Sequence, residues 1–130
     1  MCIRYSVSIE DFAERHYFKK FAKKYKWAWE ITYRALQEGL QRFDSLLTTS
    51  VTEIIAASGD IAIAKTEFRV AGTTKSRHAS GNRCIIAVNK KQGTISILLI
   101  YNKTDLGNGN ETAKWKQLIK ANYPEYSHFF

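Results

Sequence analysis

The sequence predicts an α+β fold: a small, mainly antiparallel sheet with an N-terminal helical hairpin and a C-terminal helix, in the order β-α-α-β-β-β-α. Three observations lead there. Apolar residues recur at spacings of three and four from Phe18 to Phe43, the mark of an amphipathic helix. From Leu47 to Tyr101 the texture turns to Thr, Ser, Val and Ile, punctuated by Gly-containing turns. A last helical pattern follows Asn110. At 130 residues the chain has the length of one domain, 1–130.

Each element has its own reason. Residues 2–9 alternate apolar and polar, with Cys2, Tyr5 and Val7 or Ile9 as candidates for the buried side, and read as a short strand. Glu10 and Asp11 then place acids at the start of a helix, where they suit the helix dipole. Phe18, Phe21, Ala22, Tyr25, Ala28, Trp29, Tyr33, Leu36, Leu40 and Phe43 form its sticky face, opposite Lys19, Lys20, Lys23, Lys24 and Lys26. A straight helix from Asp11 to Phe43 would run roughly 50 Å at ~1.5 Å per residue, longer than a small domain is wide. A bend near Tyr25–Trp27 is therefore expected, although neither Gly nor Pro marks it.

Val51–Ala57 is ambiguous between a short helix and a strand. Ser58-Gly59-Asp60 is a turn, and Ile61–Val70 reads as a strand. A polar loop, Gly72–Asn82, precedes the apolar run Cys84–Val88, which suits a central strand covered on both faces. Asn89–Gly93 turns the chain into Thr94–Tyr101, a hairpin partner for that strand. Asn110 is a candidate N-cap for a helix over Glu111–Ala121, whose Trp115, Leu118 and Ile119 share a face. The helices are expected on one side of the sheet.

The charge narrows the partners. With 20 Lys+Arg against 12 Asp+Glu the formal charge is +8, which favours a polyanion such as nucleic acid. No apolar stretch approaches the ~20 residues of a membrane span, and no secretory signal is visible at the N-terminus. Cys2 and Cys84 are most simply reduced thiols of a cytoplasmic protein, and Cys84, inside an apolar run, reads as structural rather than nucleophilic. His16, His78 and His128 lack metal-ligand spacing, and neither a phosphate loop nor a serine elbow is present. No metal, cofactor or membrane is therefore expected.

What remains is a cationic set: Lys65, Arg69, Lys75, Arg77, His78, Arg83 and Lys103, with Tyr101. Arg83 begins one strand of the hairpin and Tyr101–Lys103 ends the other, so these places should lie side by side. Tyr101 and Lys103, two apart, should share a face. Cations at one end of a sheet suit a scissile phosphate, because guanidinium groups stabilise the charge growing on a pentacoordinate phosphorus. RNA supplies its own nucleophile, the ribose 2′-OH. From composition alone, a loop that only binds outranks one that cuts.

These residues resemble a known family. Phe68-Arg69, Lys75-Ser76, Ser80-Gly81-Asn82-Arg83-Cys84-Ile85-Ile86 and Ile100-Tyr101-Asn102-Lys103-Thr104-Asp105 are similar to the strand motifs of the RelE/ParE toxin superfamily, more narrowly RelE/HigB-type toxins. The basic segment Phe18–Tyr25 and the closing helix also fit. Two departures stand out: Arg77-His78-Ala79 is inserted in the loop, and Asn82 stands where an aromatic often precedes the arginine.

The resemblance implies the toxin of a type II toxin–antitoxin pair, usually an endoribonuclease that cuts mRNA on the ribosome. It implies Lys75, Arg83 and Tyr101 as catalytic residues; to these the residues themselves add His78, within the insertion, as a general acid, since an unperturbed imidazole titrates near ~6.5. Arg69, Arg77 and Lys103 would hold the RNA backbone, and Lys19, Lys20, Lys23 and Lys24 would dock on ribosomal RNA. An acidic, partly disordered antitoxin would be the protein partner. A ParE-like gyrase poison and a non-catalytic basic RNA-binding module are the competing readings.

Overall fold

The computed structural model describes residues 4–130. The first strand is β1 (Ser6–Ile9). Cys2, expected on its buried side, lies outside the described residues. Tyr5, just ahead of β1, is buried, and its hydroxyl donates to Asp44 Oδ1 at 3.1 Å. Val7 and Ile9 are only half-buried, as befits a strand at the sheet edge.

A helical segment then runs as α1 (Asp11–Ala13), a π turn (Glu14–Phe18) and α2 (Lys19–Tyr25). The wider π turn shifts the apolar stripe around the axis. Phe12, ahead of it, meets Tyr123 edge-on at 6.0 Å; Phe18 and Phe21, at and beyond its end, meet Trp29 at 5.4 and 4.6 Å. The expected bend falls at Lys26, whose φ of 53° and ψ of −122° place an L-residue where glycine is at home. From there α3 (Trp27–Gln41) folds back along α2, and α4 (Phe43–Leu46) leads into the sheet.

The ambiguous segment is a strand, β2 (Thr52–Ser58), so the order gains a strand and becomes β-α-α-β-β-β-β-α. Over so short a run, helical and extended patterns could not be told apart in sequence; pairing with β3 (Ile61–Phe68) decides it. Across that pair the Thr52 and Thr66 hydroxyls share a buried 2.6 Å hydrogen bond. β4 (Asn82–Asn89) and β5 (Thr94–Asn102) complete a five-stranded sheet in the order β1-β5-β4-β3-β2. β1 pairs with β5 in parallel; all other pairs are antiparallel.

The expectation that helices cover one side of the sheet is corrected. Cys84, Ile86 and Val88 of β4 face the helical hairpin, packing with Phe21, Trp29 and Leu40. Ile85 and Ala87 face the other way, against Trp115 and Ile119 of α6 (Glu111–Asn122). The unbroken apolar run of β4 requires such double cover, because alternate residues point to opposite faces. Asn110 caps α6 as expected, its side chain accepting from the Ala113 N–H at 3.1 Å. A 3-10 turn, Pro124–Phe129, then carries the chain back against α6. Among the described residues no helix is long and apolar enough to cross a membrane.

The strain at Lys26 is testable. Lys26→Gly should raise the free energy of unfolding by about 1 kcal/mol in urea titrations, since a non-glycine residue in this region costs about 1–3 kcal/mol and glycine returns part of that as entropy. A fall in stability would mean that the bend is held without strain.

Candidate functional site

The hairpin places Arg83 and Tyr101 opposite each other, as their register requires, and adds Glu67 of β3 to the same row. All three point to the α6 face. Arg83 is 4% exposed and Tyr101 wholly buried, so neither is open to a substrate as the sequence suggested. The guanidinium lies between two carboxylates: Nη2 is 3.3 Å from Glu67 Oε2 and Nε 3.7 Å from Glu111 Oε2. It also donates to the carbonyls of Asn82 at 3.2 Å and His78 at 3.3 Å. Tyr101 donates to Glu111 Oε2 at 2.8 Å. Removing Arg83 would leave two acids facing a core without a counter-charge.

His78 joins this network from outside. Its Nδ1 lies 2.6 Å from Glu67 Oε2, while the imidazole is 83% exposed and the carboxylate 13%. Because a carboxylate accepts, this contact suits Nδ1 as the donor and leaves Nε2 free on the exposed imidazole. Beside this pair, Arg69, Arg77, Ser50 and Ser76 line an open hollow of about 580 Å³. The loop helix α5 (Arg77–Ser80) supports it: Ser76 caps its start by accepting from the Ala79 N–H, and Ser80 Oγ donates to the Phe68 carbonyl at 2.7 Å.

Lys75 and Lys103 gather elsewhere. With Lys24 and Tyr25 of α2 they line a second hollow of about 610 Å³, on the other flank of the loop. The expectation that Lys103 shares a face with Tyr101 is corrected. β5 ends at Asn102, which caps a 3-10 turn over Lys103–Leu106, and the strand alternation stops there. Lys103 instead crosses Gly81, where a Cβ would stand 3.1 Å from its Cγ. Gly81 has φ +76°, and its carbonyl accepts from the Lys103 N–H at 2.8 Å. Asn82, in place of an aromatic, accepts from Asn102 Nδ2 at 2.8 Å and ties the strand ends together.

The α2 lysines are exposed, but not alike. Lys20 is paired with Asp105 at 2.8 Å, whereas Lys24 lies over the Tyr25 ring at 5.2 Å, and Lys19 and Lys23 extend the same basic surface. Lys65 is 3.8 Å from Glu53. Cys84 is buried at the sheet centre, where burial pushes its thiol up and away from the reactive thiolate. Sequence reading missed Glu67 and Glu111. The signal available was register: Glu67 stands on the strand before the loop, within one row of Arg83.

Burial first, and then the hydrogen bond to Glu111, raises the Tyr101 phenol far above its ordinary range. Burial likewise pushes Tyr33 up to about 12. Both phenols are held neutral in the fold but ionise near ~10 in the unfolded chain. Their contribution to stability is therefore intact below ~10 and is lost as pH rises beyond it. Tyr101→Phe should flatten this alkaline loss in urea titrations between about pH 8 and 12, while costing about 1 kcal/mol at neutral pH for the lost hydrogen bond. An unchanged alkaline slope would remove Tyr101 from the account.

No protein-family model matches the chain, and no curated protein sequence matches it. Among solved structures it is similar to a chain of the RelE–RelB complex of the archaeon Pyrococcus horikoshii OT3. The TM-score is 0.55 at 16% identity, over 76% of this chain and 94% of that one. At this identity the likeness speaks for architecture: the two chains share a fold.

Proposed function

We propose that the chain is the toxin of a toxin–antitoxin pair, a cytoplasmic, metal-independent endoribonuclease that cuts mRNA on the ribosome and is silenced by a cognate antitoxin. The observation that carries the chemistry is the Glu67–His78 pair facing a hollow with Arg69 and Arg77. The fold it shares with a chain of the RelE–RelB complex supports the biological setting.

In this mechanism His78 Nε2 takes the proton of a ribose 2′-OH, whose oxygen attacks the adjacent phosphorus. The P–O5′ bond breaks, the departing 5′-oxygen takes a proton from solvent water to become a 5′-hydroxyl, and the strand ends in a 2′,3′-cyclic phosphate. Glu67 orients the imidazole and stabilises the imidazolium that forms, while Arg83, 3.3 Å away, holds the carboxylate in place from beneath. Arg69 and Arg77 stabilise the phosphorane. Lys75, Lys103 and Lys24 guide the strand along the other flank of the loop. Arg83 and Tyr101 are positioning residues here, for they are sealed from substrate. That same burial favours a second reading, a binder that holds RNA without cutting it.

Controlled expression followed by mapping of mRNA 5′ ends separates these readings. Cuts within translated codons, reduced ~100-fold or more in rate by His78→Gln, are expected. Equal cutting by His78→Gln and by the Arg69→Gln/Arg77→Gln double variant would overturn the assigned site. RNA bound and left whole would favour the binder, and DNA damage with intact mRNA would favour a gyrase poison.

The basic helix can be tested separately. A log–log salt plot of ribosome affinity should become shallower when Lys19, Lys23 and Lys24 are changed to Gln, because fewer counterions are released on binding. An unchanged slope would take α2 out of the docking surface.

A further inference from the structure

Beyond the loop, the outer face of α6 and the turn after it form a patch that the mechanism above leaves unused. Lys116 and Lys120 stand one helical turn apart beside Phe129 and Phe130, around an open hollow of about 770 Å³ with no acidic residue in its lining. The rings form a strip: His128 lies 4.3 Å from Phe129 at an interplanar angle of 35°, and Phe129 is 6.4 Å from Phe130. Phe129 and Phe130 are half-buried and His128 exposed, so the rings are accessible while Phe130 is braced edge-on against buried Trp115 at 5.6 Å. The Lys116 ammonium sits 5.8 Å from the Phe130 ring centre and 5.9 Å from that of Trp115.

We infer that this patch is a second site for single-stranded RNA, in which bases stack on the Phe129–Phe130 strip and Lys116 and Lys120 hold the flanking phosphates. Choosing RNA rests on the function proposed above; the chemistry is that of any single strand whose bases are unpaired. Interleaved cations and accessible rings are what such a strand needs, since every base has a face to stack and every linkage a charge to neutralise. A protein partner would need a broader apolar area than two half-buried rings provide. The site lies on the α6 side of the sheet, whereas the lysine hollow borders α2 on the other. A strand held on α6 would thus be a second grip, separate from the one at the loop.

The test uses the full chain and a fluorescent 2′-O-methyl decanucleotide, which lacks the nucleophile and cannot be cut. In the Lys116→Gln/Lys120→Gln variant the log–log salt slope of binding should fall by about 1.4, at ~0.7 per phosphate contact on a single strand. Phe130→Leu should weaken binding roughly tenfold with the slope unchanged, the signature of lost stacking. A 4-thiouridine in the probe should cross-link to the segment holding Phe129 and Phe130. Wild-type affinity and slope in both variants, with cross-links confined to residues 72–81, would overturn the site. Because the probe cannot be cut, binding at α6 by a chain that fails to cleave mRNA would sustain this site while the nuclease reading falls.

Discussion

A buried guanidinium organises this protein. Taking Arg83 out of water costs several kcal/mol unless its charge and donors are met, and here two carboxylates and two backbone carbonyls meet them. The partners come from separate parts of the chain: Glu67 from β3, Glu111 from the first turn of α6, and the carbonyls from the loop and from β4 itself. One interaction thereby fixes the row shared by three strands, pins the start of the last helix and ties down the loop that carries His78. A one-residue slip of β4 would drive the charge into the apolar face opposite, so the ion pair acts as a register lock. Its worth lies in specificity rather than in net stability, since such pairs seldom outperform an apolar replacement of equal volume.

Much of the fold was legible in the residues, because burial leaves a period. The recurrence from Phe18 to Phe43 foretold the hairpin, and the chain length limit located its bend to within a residue of Lys26. The apolar run of β4 implied cover on both faces, though the helices were assigned to one. β2 was not legible because seven residues carry too little periodicity to separate a strand from a helix.

The candidate site was legible as composition and not as geometry. The cations were named, and the adjacency of Arg83 and Tyr101 followed from hairpin pairing. Their burial did not follow, because it depends on Glu111, nine residues beyond the end of the strand, reaching back to both. Lys103 misled for a local reason: two-residue alternation holds only while a strand lasts, and Asn102 ends it with a capping box. The cations that the sequence drew as one cluster are therefore divided among a sealed core and two open hollows on either flank of the Gly72–Gly81 loop. Fold alone would not have shown this, since one scaffold can host many chemistries.

The parallel pairing of β1 with β5 joins Ser6–Ile9 to Thr94–Asn102, residues made early to residues made late. Contacts this distant along the chain carry a large loop-closure penalty and form slowly. During synthesis the sheet cannot close until β5 has emerged, and Glu111, the second acid on Arg83, arrives later still. Arg83 therefore has both of its acids only after β5 has joined the sheet and the first turn of α6 has docked on it, so the charge network is among the last features of the fold to form.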